Sequence, residues 1–308
     1  MTDIKIAFDD GEAYELFMGR WSRAVGTQFL AWLSPPKAAR WLDVGCGTGV
    51  FTRLIVDSCA PGGIAGVDPS AAQIDYARQQ TAAKAADFRV ATALPYADGS
   101  FDIVTSSLVI NFIPDRSKAM AEMRRVARNG GIVSGFIWDR APGKELSPTA
   151  PMQRGFSAIG AAPPRIPGDD LGSLPDLFAA AGLIDIESRT IEVTQTFRDF
   201  DAYWSHQTQP YTPAGKLVAK LPEADCARLR DALRGILPAA ADGSITYASR
   251  AIAVKARAPG YVRAKKLSFR GASKASEPGI QQQAQRPCLD SGSGDKAPSR
   301  NDLGYDPR

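Results

Sequence analysis

The run Trp41-Leu42-Asp43-Val44-Gly45-Cys46-Gly47-Thr48-Gly49 constrains this chain most: an apolar strand that ends in alternate glycines, directly ahead of a helical pattern. Glycine has no Cβ, so the backbone can turn sharply out of a strand and come close to a ligand. Such a turn suits a nucleotide. The spacing is G-x-G-x-G; Val50 stands where a dinucleotide fingerprint needs its third glycine, and no Lys-Ser/Thr pair follows as a phosphate loop requires. A glycine triplet alone is also compatible with a structural tight turn. Two acids, Asp43 before the turn and Asp68 at the end of the next apolar stretch, favour the ligand-binding reading.

Around this turn, strand and helix patterns alternate. Phe8 to Leu33 carries apolar residues at helical spacing, one or two amphipathic helices stopped by Ser34-Pro35-Pro36. Arg40 to Val44 is the first buried strand, and Thr48 to Cys59 a helix ended by Pro61-Gly62-Gly63. Ile64 to Asp68 is the second strand, Pro69-Ser70 opens a helix through Arg78, and Phe88 to Ala91 is a short third strand. Phe101 to Leu108 is the fourth; a helix over Ser117 to Arg128, capped by Asn129-Gly130-Gly131, leads to the fifth at Ile132 to Trp138. This alternation predicts an α/β protein with a mainly parallel sheet and ligands at the carboxyl ends of its strands.

Beyond Asp139 the texture turns to Pro, Gly and small residues as far as Asp170, read as an irregular insertion. A short helix at Leu174 to Ala181, an alternating strand at Ile184 to Thr196, a polar and aromatic segment at Phe200 to Tyr211, a helix at Glu223 to Leu237 and a last strand at Ile245 to Ala256 follow. Past Pro259 there is no periodicity, and residues 258–308 are expected to form a disordered tail. That tail holds nine Lys/Arg against five Asp/Glu, the whole of the +4 net charge. A neutral domain with a basic tail argues against a nucleic-acid partner. No apolar run is long enough to span a bilayer and the N-terminus lacks a signal-peptide layout, so a cytoplasmic protein is expected. Cys46, Cys59, Cys226 and Cys288 are scattered and His206 is the only histidine, which indicates neither a disulfide framework nor a metal site.

With these residues in place the sequence resembles the class I S-adenosylmethionine-dependent methyltransferases, in particular the small-molecule branch that includes the ubiquinone and menaquinone biosynthesis enzymes. Leu42 to Gly49 looks like the first motif, Gly66-Val67-Asp68-Pro69-Ser70 like the second, Ala93 to Asp102 like the third, and Glu122 to Gly131 like the helix-to-strand motif before the fifth strand. The resemblance implies a Rossmann-like seven-stranded sheet with helices on both faces, a small cap, and the last strand antiparallel. It implies one methyltransferase domain over residues 1–257: an N-terminal helical lid (1–39), a cofactor-binding core (40–138), and the cap with the remaining sheet (139–257).

It also implies S-adenosylmethionine as cofactor. Gly45, Cys46, Gly47 and Gly49 would lie against its amino-acid portion, and Asp43 would bond either the turn or the cofactor ammonium. Asp68 would accept the ribose hydroxyls, with Pro69 beside it, and a helix N-cap is its structural alternative. Ala91, Thr92 and Ala93 would contact adenine; where many relatives carry an Asp, this chain has Val90, so adenine would rest on backbone groups and Thr92. Ser107 and Leu108 would line the sulfonium, while Tyr14, Arg20 and Trp21 would close over the cofactor, Arg20 meeting its carboxylate, with helix packing as their alternative and the favoured one for Trp21. Catalytic candidates are Asp139, otherwise a turn-capping acid, and His206, otherwise a structural or exposed histidine. The expected reaction is methyl transfer to a small hydrophobic or aromatic molecule, by a monomer or weak homodimer that is not bound to a membrane. The alternatives are a catalytically silent S-adenosylmethionine-binding regulatory or scaffold protein, and an NAD or nucleotide-sugar enzyme on a similar sheet.

Overall fold

The computed structural model describes residues 11–80, 86–140, 146–164 and 172–260. Its strands are β1 (Arg40–Val44), β2 (Gly63–Asp68), β3 (Ala86–Val90), β4 (Phe101–Ser107), β5 (Ala127–Trp138), β6 (Ile184–Phe197) and β7 (Ile245–Arg257). They form one sheet in the order β3-β2-β1-β4-β5-β7-β6, with β7 antiparallel to both neighbours and the other pairings parallel. This is the expected Rossmann-like arrangement. The order reverses beside β1, so the crevice at its carboxyl end opens where the glycine turn stands.

Alternate residues of the central strands face opposite ways. Trp41, Ile103 and Phe136 enter one apolar cluster together with the buried face of α1 (Gly11–Leu33) and α2 (Val50–Cys59). Leu42, Val44, Val104 and Val133 enter a second one under α4 (Arg116–Val126) and α6 (Leu174–Ala180). The first segment is a single 23-residue helix, because Trp21, Val25, Phe29 and Leu33 keep one unbroken stripe fully or nearly buried. Each such aromatic or aliphatic side chain contributes about 1.5–3 kcal/mol on burial. Helix α3 (Ala71–Gln79) starts where Ser70 Oγ accepts from Gln73 N.

Three segments depart from expectation. Asn129-Gly130-Gly131 does not cap α4: the helix ends at Val126, and Ala127 already pairs with Phe101. The pairing then shifts, Ile103 lying opposite Ile132, so the glycines form a bulge instead of a cap. Gly130 takes φ +71, and a Cβ on Gly131 would lie 2.8 Å from Arg128 O, so neither position tolerates a side chain easily. Second, the insertion after Asp139 contains α5 (Ala150–Ala158), with Pro151 in its first turn and Met152 and Phe156 buried. It packs on α9 (Glu223–Ile236), where Gly155 lets Leu229 and Leu233 approach closely. Third, the polar and aromatic segment folds into α7 (Phe200–Gln207), capped by Asp199, followed by α8 (Pro213–Val218), capped by Thr212. The tail expected beyond residue 258 lies, from residue 261 on, outside the described residues.

Candidate active site

The glycine turn is held from within. Gly45 N and Cys46 N donate to Val67 O at 2.8 and 3.0 Å, Gly49 N to Cys46 O at 2.8 Å, and Gly47 N to Asp68 Oδ2 at 2.9 Å. These donors serve protein acceptors, so the turn contributes space and shape more than free N–H groups. Gly45 at φ +73 is a packing glycine, since a Cβ there would lie 2.3 Å from Val109 Cγ1. Gly47 at φ +51 is different: a Cβ would meet only Gln73 Oε1, at 3.6 Å. Gly47 is thus the glycine of the turn that faces open ground. Cys46 is filler: its thiol lies buried against Gly66, and burial, reinforced by Asp43 and Asp68, holds its pKa well above the ordinary thiol value.

Asp68 joins the two halves of the crevice. Its Oδ1 accepts from Ser70 N at 2.9 Å and its Oδ2 from Gly47 N, while Ser70 itself caps α3. Asp68 is therefore not the helix cap, and each oxygen keeps further accepting capacity. Burial raises its pKa, opposed by the Ser70 and Gly47 N–H groups. Val90, its register partner on β3, is 48% exposed, an unusual state for a valine at a strand end. Ala91 N donates to Asp68 O at 3.0 Å, and Pro69, Thr92 and Ala93 are exposed around the same edge.

Asp43 lies deeper. It is fully buried, Oδ2 accepts from Thr52 Oγ1 at 2.6 Å, and Oδ1 has no partner among the described residues. Burial pushes its pKa up to about 7, with the Thr52 bond opposing and the charge of Asp68 adding. At neutral pH this carboxyl is poised between its two forms. At the end of β4, Ser107 leads into Leu108, a buried residue at φ +59 whose N–H donates to Phe136 O at 2.8 Å. That conformation costs about 1–3 kcal/mol in a non-glycine residue and is typical of ligand-shaping positions. It brings Val109 against Gly45.

Arg53 fastens α1 over the turn: one nitrogen donates to Thr48 O at 2.8 Å and another to Glu15 Oε1 at 2.8 Å. The side chain of Tyr14, one residue earlier, lies outside the described residues. Arg20 is exposed, and its charge adds to the lowering of the His206 pKa.

The acceptor-side candidates separate. Asp139 is buried and bound to Arg250, whose Nε and second terminal nitrogen lie 2.8 and 2.7 Å from Oδ2. An arginine in that position fixes the carboxylate in place, as a structural role requires. His206 lies between the rings of Phe17 and Phe197, at centroid distances of 5.5 and 5.3 Å. Burial lowers its pKa, a backbone bond at Phe17 opposes, and Arg20 lowers it further, so the ring is neutral at pH 7 with Nε2 buried and unpartnered among the described residues. Around it runs a continuous aromatic cluster: Trp138 to Trp21 at 6.3 Å, Trp21 to Tyr247 at 5.2 Å, Tyr247 to Tyr203 at 5.9 Å and Tyr203 to Phe197 at 5.4 Å. Trp21 Nε1, Trp138 Nε1, Tyr203 OH and Ser249 Oγ are also buried without partners among the described residues.

Sequence reasoning missed Thr52, Val109, Arg53, Arg250 and Tyr247. Arg250 and Tyr247 sit on the last strand, where alternation marks burial but nothing marks proximity to β5. Thr52 carried a usable signal, a hydroxyl in the first turn of the helix that follows the strand acid.

Comparison with known proteins decides the class. Residues 42–134 match the family model described as a methyltransferase domain. Those residues form a class I S-adenosylmethionine-dependent methyltransferase domain. A malonyl-[acyl-carrier protein] O-methyltransferase of Erwinia pyrifoliae is 32% identical over 179 residues, covering 58% of this chain and 63% of that protein. A demethylmenaquinone methyltransferase of Roseiflexus castenholzii is 36% identical over 110 residues, covering 35% of this chain and 46% of that protein. The chain thus spans less than two thirds of the length of these curated relatives. Among solved structures, a Haemonchus contortus phosphoethanolamine N-methyltransferase 2 aligns with 20% identity and TM-score 0.49, over 82% of this chain and 58% of that one. The methyltransferase domain contains the glycine turn, Asp43, Asp68, Val90, Ser107 and Leu108, and S-adenosylmethionine is its cofactor.

The residues present fit that cofactor. Gly47 leaves room where any side chain would intrude, Asp68 retains acceptor capacity next to an exposed apolar residue, and Asp43 Oδ1 is an unsatisfied acceptor below the turn.

Proposed function

We propose that this protein transfers a methyl group from S-adenosylmethionine to a small hydrophobic or aromatic molecule. The observation that carries this reading is the continuity between the two parts of the crevice. Ser107, at the end of β4, is the register partner of Phe136, and the aromatic cluster begins two residues further along β5 at Trp138. When bound, S-adenosylmethionine supplies a sulfonium-activated, electrophilic methyl group.

The chain's own residues bind, orient and exclude water. Asp68 accepts hydroxyl donors while holding Gly47 in place, Val90 and Thr92 present an apolar and polar edge for a flat heterocycle, and Asp43 lies ready for a cation or a proton. Leu108 fixes the corner between the two halves. On the acceptor side the aromatic walls bury a flat apolar molecule, and neutral His206 takes a proton at Nε2 where the acceptor must lose one. Phe17 of α1 packs on His206, and Trp21 on Trp138 and Tyr247, so entry of the acceptor would require the early turns of α1 to part from α7. Alignment in a dry site supplies most of the acceleration for such a reaction.

The finer readings belong here too. Malonyl-[acyl-carrier protein] and demethylmenaquinone, named for the relatives, supply the first acceptors to try. The domain limits proposed are residues 1–257, with α1 as lid and residues 139–257 as cap. Calorimetry with S-adenosylhomocysteine, followed by transfer of labelled methyl to thioester, quinol and phenol acceptors, tests the reading. Saturable cofactor binding with label in at least one acceptor class is expected. Binding without transfer to any class would favour the silent alternative.

A further inference from the structure

Glu15 stands over the glycine turn with one carboxylate oxygen used and the other bare. Arg53 donates from one terminal nitrogen to Thr48 O at 2.8 Å and from the other to Glu15 Oε1 at 2.8 Å, so the acid on α1 lies one guanidinium's width from the turn. Arg23, an exposed side chain, lies 3.5 Å from the same oxygen and contributes little. Oε2 is buried and has no partner among the described residues. The helix is adapted to hold the side chain there. Gly19 lies in the interior of α1, where a glycine is destabilising against alanine. A Cβ on it would lie 3.0 Å from Glu15 Cγ, so the glycine leaves the glutamate room along the helix.

Each oxygen of a carboxylate accepts hydrogen bonds, and a buried charged oxygen without a donor is costlier than a neutral one. The turn has little to give it: the N–H groups of Gly45, Cys46, Gly47 and Gly49 all serve other protein acceptors. A ligand over the turn can supply the missing donor. Among the N–H and O–H groups of S-adenosylmethionine the α-ammonium is the cationic one, and it belongs to the amino-acid portion read as lying against these glycines. Asp43, the acid before the turn, is fully buried, whereas the side chain of Glu15 is 23% exposed and so within reach of an arriving ligand.

We propose that Glu15 accepts the α-ammonium group of S-adenosylmethionine through Oε2, while Oε1 keeps its bond to Arg53 and so to the turn. The inference rests on the methyl-transfer reading; it moves the ammonium from Asp43 to α1 and leaves Asp43 its proton. The bond is charge-assisted, which makes the site selective for the intact amino-acid portion over one that lacks the ammonium.

The test is calorimetry on the full chain with S-adenosylhomocysteine and its desamino analogue, which keeps the adenosine, thioether and carboxylate and lacks the ammonium. The wild type is expected to bind S-adenosylhomocysteine at least about tenfold more tightly than the analogue. Glu15→Gln retains an oxygen for Arg53 and turns the charged acceptor into an amide. That variant should keep the wild-type melting temperature, bind the analogue within about twofold of the wild type and lose the preference. D43N should retain the preference. Equal binding of the two ligands by the wild type overturns the proposal whatever the variants do, and it leaves the methyl-transfer reading standing. A preference that survives in E15Q, or one that disappears in D43N, overturns it as well. Absence of S-adenosylhomocysteine binding to the wild type strikes at the methyl-transfer reading instead.

Discussion

The two halves of the crevice are built on opposite principles. On the cofactor side nearly every polar group of the turn has a protein partner: Val67 O, Asp68 and Cys46 O take the N–H groups of residues 45, 46, 47 and 49. On the proposed acceptor side the indole N–H groups of Trp21 and Trp138, the Tyr203 hydroxyl and His206 Nε2 are buried with none among the described residues. Leaving such a group unmade costs about 1–3 kcal/mol. A satisfied half is rigid and gives its ligand a preformed shape. The other half leaves these groups to a ligand with complementary donors and acceptors.

The largest effect that could break this contrast is at Gly47. Gly47→Val places a branched side chain into the open ground of the turn at a positive φ, and S-adenosylhomocysteine affinity should fall by more than about a hundredfold in calorimetry while the far-ultraviolet dichroism stays native. Normal affinity in that variant would mean the ligand approaches elsewhere.

Asp43 comes next, as a buried acceptor on that side whose Oδ1 has no partner among the described residues. Its folded pKa, about 7, lies above the ordinary aspartate value, so between the two the folded protein holds a proton that the unfolded chain has released. Stability from this group is complete below about pH 4 and is lost as pH rises through 7, on the order of 4 kcal/mol over the window. Asp43→Asn keeps the acceptor for Thr52 and cannot ionise. Its urea-unfolding free energy should therefore decline less than the wild type's between pH 4 and 8. Parallel pH profiles for the two proteins would refute the assignment.

Tyr203→Phe probes the unsatisfied half. Removing a buried hydroxyl that has no partner should leave stability unchanged or raise it by about 1 kcal/mol, with cofactor affinity intact. A loss of stability would reveal a hidden partner. The smallest expected effect is none: truncation after Gly260 keeps Ala258, whose N–H and C=O bond Gly131 and Gly130, and should change neither the melting temperature nor cofactor binding.

The same contrast explains what could be read from the chain. Strand positions, the topology and the residues from Asp43 to Gly49 were legible because backbone turns and burial periods leave marks on adjacent residues. The bulge at Gly130 was misread as a cap because the same glycines satisfy both geometries, and only the pairing of Ala127 with Phe101 distinguishes them. Helix α5 was hidden by Pro151 and its small residues, since Gly155 serves close packing on α9 rather than flexibility. The aromatic cluster draws Trp21, Trp138, Phe197, Tyr203 and Tyr247 from five elements. No local spacing announces such a meeting. Asp139 was correctly seen at the end of β5, but its arginine lies 111 residues away.

One side chain joins the glycine turn to the helix above it. Arg53 holds both Thr48 O and Glu15, which ties the turn to the end of α1 that, in the proposed reading, parts from α7 to admit the acceptor. The expected kinetic signature is compulsory order, with cofactor adding before acceptor and the methylated product leaving first. Breaking the link at Glu15 should convert that sequence to random addition without abolishing either binding step.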